Sequence, residues 1–190
     1  MPPAAAALPP RRPRWAAAVA LVLLVALPLP AQNVELTAFD ARRTEEGHLA
    51  VDYAVDFELS RPVEAALAKA VPLHFVAEVE VFRSRWYWTD KRVARATRTW
   101  RVVYQPLTSS WRVTFGDLGQ TYATQSEALG VMRRASGWKV ADAERLEDGA
   151  SHYVEFSFRL DTSQLPRPMQ IGIGNQPEWA LSVERTQRVP

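Results

Sequence analysis

The sequence predicts a mainly β protein, an antiparallel β-sandwich of the broad immunoglobulin-like kind with two short helices. The first observation is the run Leu49, Val51, Tyr53, Val55, Phe57 and Leu59, which alternates without a miss against Ala50, Asp52, Ala54, Asp56 and Glu58. Period-2 patterning of this kind marks a strand with one face buried in an antiparallel sheet. The second is a meander between Leu73 and Gly116, in which three aromatic and β-branched runs are separated by turn-forming residues. The third is the short spacing of turn signals along the whole chain, which leaves room for eight or so strands.

Each element follows in order. "VELTAFDARR" and "LAVDYAVDFEL" read as strands joined by the turn "TEEGH". Ser60 is placed to cap a helix and Pro62 suits its first turn, so a short helix is expected over 62–70. "PLHFVAEVEVFRSRW" is a longer strand with Leu73, Phe75, Ala77, Val79 and Val81 on its buried face and His74, Val76, Glu78, Glu80 and Phe82 on the other. The chain turns at "YWTDK" and returns through "RVARATRTWRVVYQ", where Trp100, Val102 and Tyr104 are expected inside. "WRVTFG" then points Trp111, Val113 and Phe115 inward, and "QTYA" follows as a short strand. "TQSEALGVMRRAS" reads as a second helix that starts with a capping box at Thr124 and Glu127. Three more strands are expected at "GWKVADAERL", "SHYVEFSFRLD" and "EWALSVERT", the first two joined as a hairpin through "LEDGA". The proline- and glycine-rich "TSQLPRPMQIGIGNQP" is expected to cross in extended form from one sheet to the other, burying Met169 and Ile171, or to offer an edge to a partner strand.

The N-terminus predicts the compartment. Arg11, Arg12 and Arg14 precede 13 uninterrupted apolar residues, Trp15 to Leu27, after which Pro28 and Pro30 break the run. That length falls short of the roughly 20 residues a spanning helix needs, and the pattern is that of a secretory signal peptide. Cleavage is expected after Ala31, with Leu29 at the minus-three position, so 1–31 is the leader and 32–190 one domain. Retention as an inner-membrane anchor is the alternative. The mature chain is then periplasmic. Without the three leader arginines it carries 20 basic against 21 acidic side chains, so no global attraction to polyanions follows and any basic feature is local. Cysteine is absent, which removes disulfides, thiolate metal sites and a cysteine nucleophile.

With this order of elements, the chain resembles the DUF4390 family of exported proteobacterial proteins, some of which are labelled proline-rich signal peptide proteins. The features that carry the resemblance are the Pro-rich leader, "VDYAVDFEL", "TWRVVYQPLTSSWRVTFG" and "LPRPMQIGIGNQPEWALS". The resemblance spans essentially the whole mature chain. It implies an envelope role beside a membrane sensor kinase and its regulator, which are often encoded next to its members. It implies no activity, and no site residues come with it.

The strongest local feature is "RSRWYWTDKRVARATRTWRVVY", Arg83 to Tyr104, in which six arginines and one lysine are interleaved with aromatic residues and Asp90 is the only acid. One reading is a solvated sheet face whose arginines pair across strands with Glu78, Glu80, Asp52, Asp56 and Glu58. That pairing leaves Arg83, Arg85, Lys91 and Arg92, with Trp86, Tyr87 and Trp88, as a candidate partner-binding turn. In the envelope such a turn meets an acidic protein or anionic lipid headgroups, and nucleic acid is not an expected partner. His48, His74 and His152 are scattered, lack metal-ligand spacing and are expected at the surface or an edge. Asp52, Asp56 and Glu58 share one strand face, the ordinary solvent side of a pleat. No G-x-S-x-G, S-x-x-K, H-E-x-x-H or P-loop occurs, and the glycines of "IGIGNQP" open no strand-to-helix unit. The reading is therefore of a non-enzymatic binding or accessory module without a cofactor, with a lipid or cell-wall ligand held between the sheets as the alternative.

Overall fold

The computed structural model describes residues 34–173 and 176–190; the leader and its cleavage site after Ala31 lie outside them. Among the described residues, nine strands form two antiparallel sheets. The smaller has the order β1-β2-β7, from Val34–Arg43, Leu49–Phe57 and Arg134–Ala141. The larger has the order β6-β5-β4-β3-β8-β9, from Leu118–Tyr122, Ser110–Phe115, Lys91–Gln105, Leu73–Arg83, His152–Leu160 and Ser182–Val189. The meander β3 to β6 is continuous, as the sequence predicts.

The inner faces of both sheets make the core. Val51, Phe57, Leu73, Phe75, Val79, Val81, Val154, Phe156 and Phe158 are all buried. Phe57 from the smaller sheet lies 5.5 Å from Phe75 and 5.4 Å from Phe158 of the larger, ring centre to ring centre. Tyr53 and Phe39 close on Phe156 at 4.9 and 5.1 Å. Burying each such side chain stabilises the fold by about 1.5–3 kcal/mol. The interior between the sheets is thus filled by aromatic rings.

Helix α1, Arg61–Ala68, buries Val63, Ala66 and Leu67 against the core. Ser60 stands at its N-cap, but its hydroxyl donates to the Glu178 carbonyl at 2.6 Å instead of capping the helix. The helix stops with Val71 N–H on the Ala66 carbonyl and Ala70 N–H on the Leu67 carbonyl, and Ala70 sits at φ 62. Glycine normally occupies that left-handed position, because a Cβ there crowds the backbone.

Four expectations need correction. Helix α2 covers only Gln125–Gly130, although its capping box at Thr124 and Glu127 forms with both bonds at 3.2 Å. Beyond the poor helix former Gly130, tertiary partners take the chain into strand: Val55 N–H donates to the Arg133 carbonyl, and Asp52 accepts from Gly137 N–H. Next, "LEDGA" is no hairpin, because β7 and β8 lie in different sheets and 142–151 carries the chain between them, with Leu146 buried on the way.

The proline-rich segment does not cross between sheets either. It connects β8 to β9 within one sheet through Thr162–Gln164, helix α3 at Arg167–Gln170 and Pro177–Trp179. Pro168 enters the first turn of α3, where its missing N–H is not needed, and Gln170 Nε2 donates to the Ser163 and Leu165 carbonyls at 2.7 Å each. Leu165, Trp179 and Leu181 supply the burial, while Ile171 is exposed. Glu178 and Trp179 accordingly precede the last strand, which starts at Ser182.

Finally, the inward face of β5 is only partly covered. Val113 is buried, but Trp111 is half-buried, as is Tyr104 opposite it on β4, and Phe115 is exposed. The smaller sheet ends at β7, which packs on β4, so β5 and β6 project past it; α2 packs against both strands and leaves their Phe115–Leu118 end as an uncovered overhang.

Candidate functional site

The β3–β4 connection, 84–90, forms a tip at one end of the sandwich. Register places Arg83 beside His152 of β8, and His152 beside Val189 of β9. Val34, paired with Phe57, lies at the opposite end with Phe75. The length of β1 alone separates the two ends by about 33 Å.

The tip is fastened by one carboxylate. Asp90 accepts from Arg85 N–H at 3.0 Å and from the Tyr153 hydroxyl at 2.9 Å. Tyr153 stacks on Phe82, 5.2 Å away and nearly parallel, and Ser84 N–H donates to the Ser151 carbonyl at 2.9 Å. Burial and the Asp90 contact push the Tyr153 hydroxyl up to about 12. Above this base Trp86, Tyr87 and Trp88 are 93%, 66% and 71% exposed. Trp86 and Tyr87 pack edge to face at 4.8 Å. Three adjacent aromatic side chains in water form an apolar patch of the kind that marks an interaction surface.

The structure divides the arginines differently from the sequence reading. Arg83 pairs with Glu147 and Arg92 with Glu80 at 2.5 Å, so neither is an unpaired remainder of the turn. Arg85 and Lys91 make no ion pair among the described residues. Arg95 pairs with Glu78 at 2.8 Å and approaches Glu80 at 3.7 Å, as expected for a sheet face. Burial pushes the Glu78 carboxyl up, but Arg95 and Arg159 outweigh it and hold the group below its usual range. Asp52 and Asp56 serve their own sheet instead: Asp52 takes Arg42 at 2.5 Å, and Asp56 takes Arg133 at 2.9 Å. Gly137 N–H and Arg42 hold the Asp52 carboxyl low, so the two acids are separately compensated charges.

His74 lies on the outer face of β3, as its alternation requires, but His152 departs from the surface position expected of it. It is 2% exposed, and among the described residues neither ring nitrogen has a hydrogen bond of normal geometry. Alternation explains this, since His152 shares a face with Val154 and Phe156. Burial pushes its imidazole down, and Arg43 and Arg83 add to the effect while the Ala150 carbonyl opposes it. Among the described residues no three metal-ligating side chains converge. Grooves of about 280 Å³ on the outer face by Glu78 and Glu184, and of about 380 Å³ by Arg43 and His152, are open depressions outside the core.

Arg98 is the residue whose position the hairpin reading missed. It lies two positions before Trp100 and therefore faces inward, with its guanidinium carbon 4.7 Å from the Trp138 ring centre and 6.0 Å from that of Phe115.

These features define a two-sheet antiparallel β protein with an exposed aromatic tip. Residues 31–189 match the family described as a domain of unknown function, DUF4390, and the chain belongs to that family. No curated protein and no solved structure matches it.

Proposed function

We propose that the protein is an exported, non-enzymatic envelope module that binds a partner protein through the tip formed by Arg85, Trp86, Tyr87, Trp88 and Lys91. The observation that carries this reading is the exposure of three consecutive aromatic residues, 66% or more each, on a loop that Asp90 holds in place. Large apolar side chains held in water by an ordered loop are buried against a partner at reduced cost, because the loop's backbone entropy has already been lost. The two cations without ion pairs select an acidic rim on that partner. A membrane signalling protein of the envelope, such as a sensor kinase, is the partner class the family association suggests. The aromatic filling of the space between the sheets supports this reading over a lipid or cell-wall ligand held there.

The test is an envelope pull-down with crosslinking in cells. It compares the wild type with a variant carrying Arg85→Ala, Trp86→Ser, Trp88→Ser and Lys91→Ala, after both have been shown to melt alike. A protein captured by the wild type alone supports the reading, and identical captures remove it. The mass of the exported chain reports whether the leader is cleaved after Ala31.

A further inference from the structure

We infer that the overhang of β5 and β6 is a second docking surface, one that accepts an extended acidic and apolar segment of a partner protein with its carboxylate on Arg98. Arg98 is half-buried between the sheets, and among the described residues it makes neither an ion pair nor a hydrogen bond. Its ring neighbours are Trp138 of β7 and Phe115 of β5, and Tyr53 of β2 stands near enough to interact with its charge. Ring faces attract a cation but do not replace the water it has lost, and a partly desolvated charge without a counter-ion is a standing cost. Burial lowers the guanidinium from its usual value and the nearby Tyr53 hydroxyl opposes the shift, but no carboxylate does. Arg42, Arg92, Arg95, Arg133 and Arg159 each have a carboxylate, and the exposed Arg101, which has none among the described residues, keeps its water.

The surroundings of Arg98 complete the complement. Register sets Phe115 opposite Leu118, and the two are 40% and 74% exposed on the inward face that β7 fails to reach. Phe115 is held flat by stacking on Trp100 at 5.5 Å. Among the described residues the neighbouring β6 is the free edge of the larger sheet, and its five residues, Leu118–Tyr122, carry no charge. A carboxylate beside an apolar side chain therefore finds a cation, an apolar shelf and an unopposed strand edge in one place. This surface is distinct from the tip: Arg98 lies seven residues along β4 from Lys91, about 23 Å.

The probe is the peptide Ac-Leu-Glu-Phe-Glu-Leu-NH₂, titrated into the mature domain and followed through the arginine Nε–H and tryptophan indole NMR signals. The expected result is saturable shifts at Arg98 and Trp138. Binding should also be about ten- to a hundredfold tighter than for the Glu→Gln peptide, the range of a hydrogen bond to a charged group. Arg98→Gln should abolish that preference. Leu118→Asp, at an exposed position whose change leaves the core intact, should weaken the Glu peptide at least as much, while the tip variant binds it unchanged. Equal affinity for the two peptides, or shifts centred on Trp86 and Trp88, would overturn the inference. So would sodium laurate saturating the Arg98 signals where the peptide leaves them unmoved, which would make the surface an amphiphile site.

Discussion

Asp90→Ala separates the order of the tip from the stability of the sandwich. The substitution removes the acceptor of both Arg85 N–H and the Tyr153 hydroxyl. Buried hydrogen bonds to a charged acceptor are each worth about 1.5–3 kcal/mol, but both of these are exposed to solvent, which reduces the pair to about 1 kcal/mol. For a domain of this size that lowers the melting temperature by about 2–4 °C. The local effect exceeds the global one, because the Asp90 bonds oppose the backbone freedom of Ser84 to Asp90, which favours an open tip once they are gone. The expected signature is a small loss in Tm with a large loss of amide-exchange protection at Arg85. It is accompanied by easier ionisation of Tyr153, followed by ultraviolet absorbance, because one cause of its raised value is gone. Unchanged protection at Arg85 together with an unchanged Tyr153 titration would refute the role of Asp90 as the fastener.

Three further outcomes follow from the same contacts. Acidification from pH 7 to 5 should lower Tm through His152, whose folded value is depressed, so its stabilisation is complete above about 6.5 and is lost as pH falls. His74, depressed by burial and by Arg101, acts in the same direction, and His152→Phe should flatten the profile only in part. Ala70→Gly should raise stability by up to about 1 kcal/mol in thermal melts, since it relieves the left-handed strain at φ 62, net of glycine's greater freedom when unfolded. Phe158→Ala removes a side chain buried against Phe57 and Phe75 and should cost about 3–5 kcal/mol in denaturant titrations, with no specific effect at the tip.

The strands were legible where alternation was unbroken. Leu49 to Phe57, Leu73 to Val81 and Val154 to Leu160 appear with the expected faces inward, because a one-residue slip would put every apolar side chain in water. The sequence reading failed where local propensity was overruled from a distance. Arg133 to Ser136 has helical composition, but Val55 N–H donates to the Arg133 carbonyl, and Asp52 accepts from the Ser136 hydroxyl and the Gly137 N–H, which draws the segment into β7. "LEDGA" has the residues of a hairpin, and nothing local announces that Leu146 will be drawn into the core. At the candidate site, the turn at "YWTDK" was legible but opens earlier than the strand reading placed it: β3 ends at Arg83, so Trp86 stands exposed in the loop with Tyr87 and Trp88. The partners of Arg83 and Arg92 were not legible, since Glu147 comes from a loop more than 60 residues away and only the register of β3 on β4 brings Glu80 to Arg92. Arg98 was readable in principle, as its parity with Trp100 sends it inward, but the charge of the surrounding run pointed to the solvent face.

The tip as a recognition surface is tested most directly by placing a photo-crosslinking phenylalanine analogue at Tyr87 and, in a second strain, at Thr108, an exposed turn position at the far end of β4. The account predicts a discrete protein adduct from position 87, absent from position 108 and lost when Arg85→Ala and Lys91→Ala are added. Adducts that are the same from both positions, or an adduct at 87 indifferent to those two cations, would contradict it.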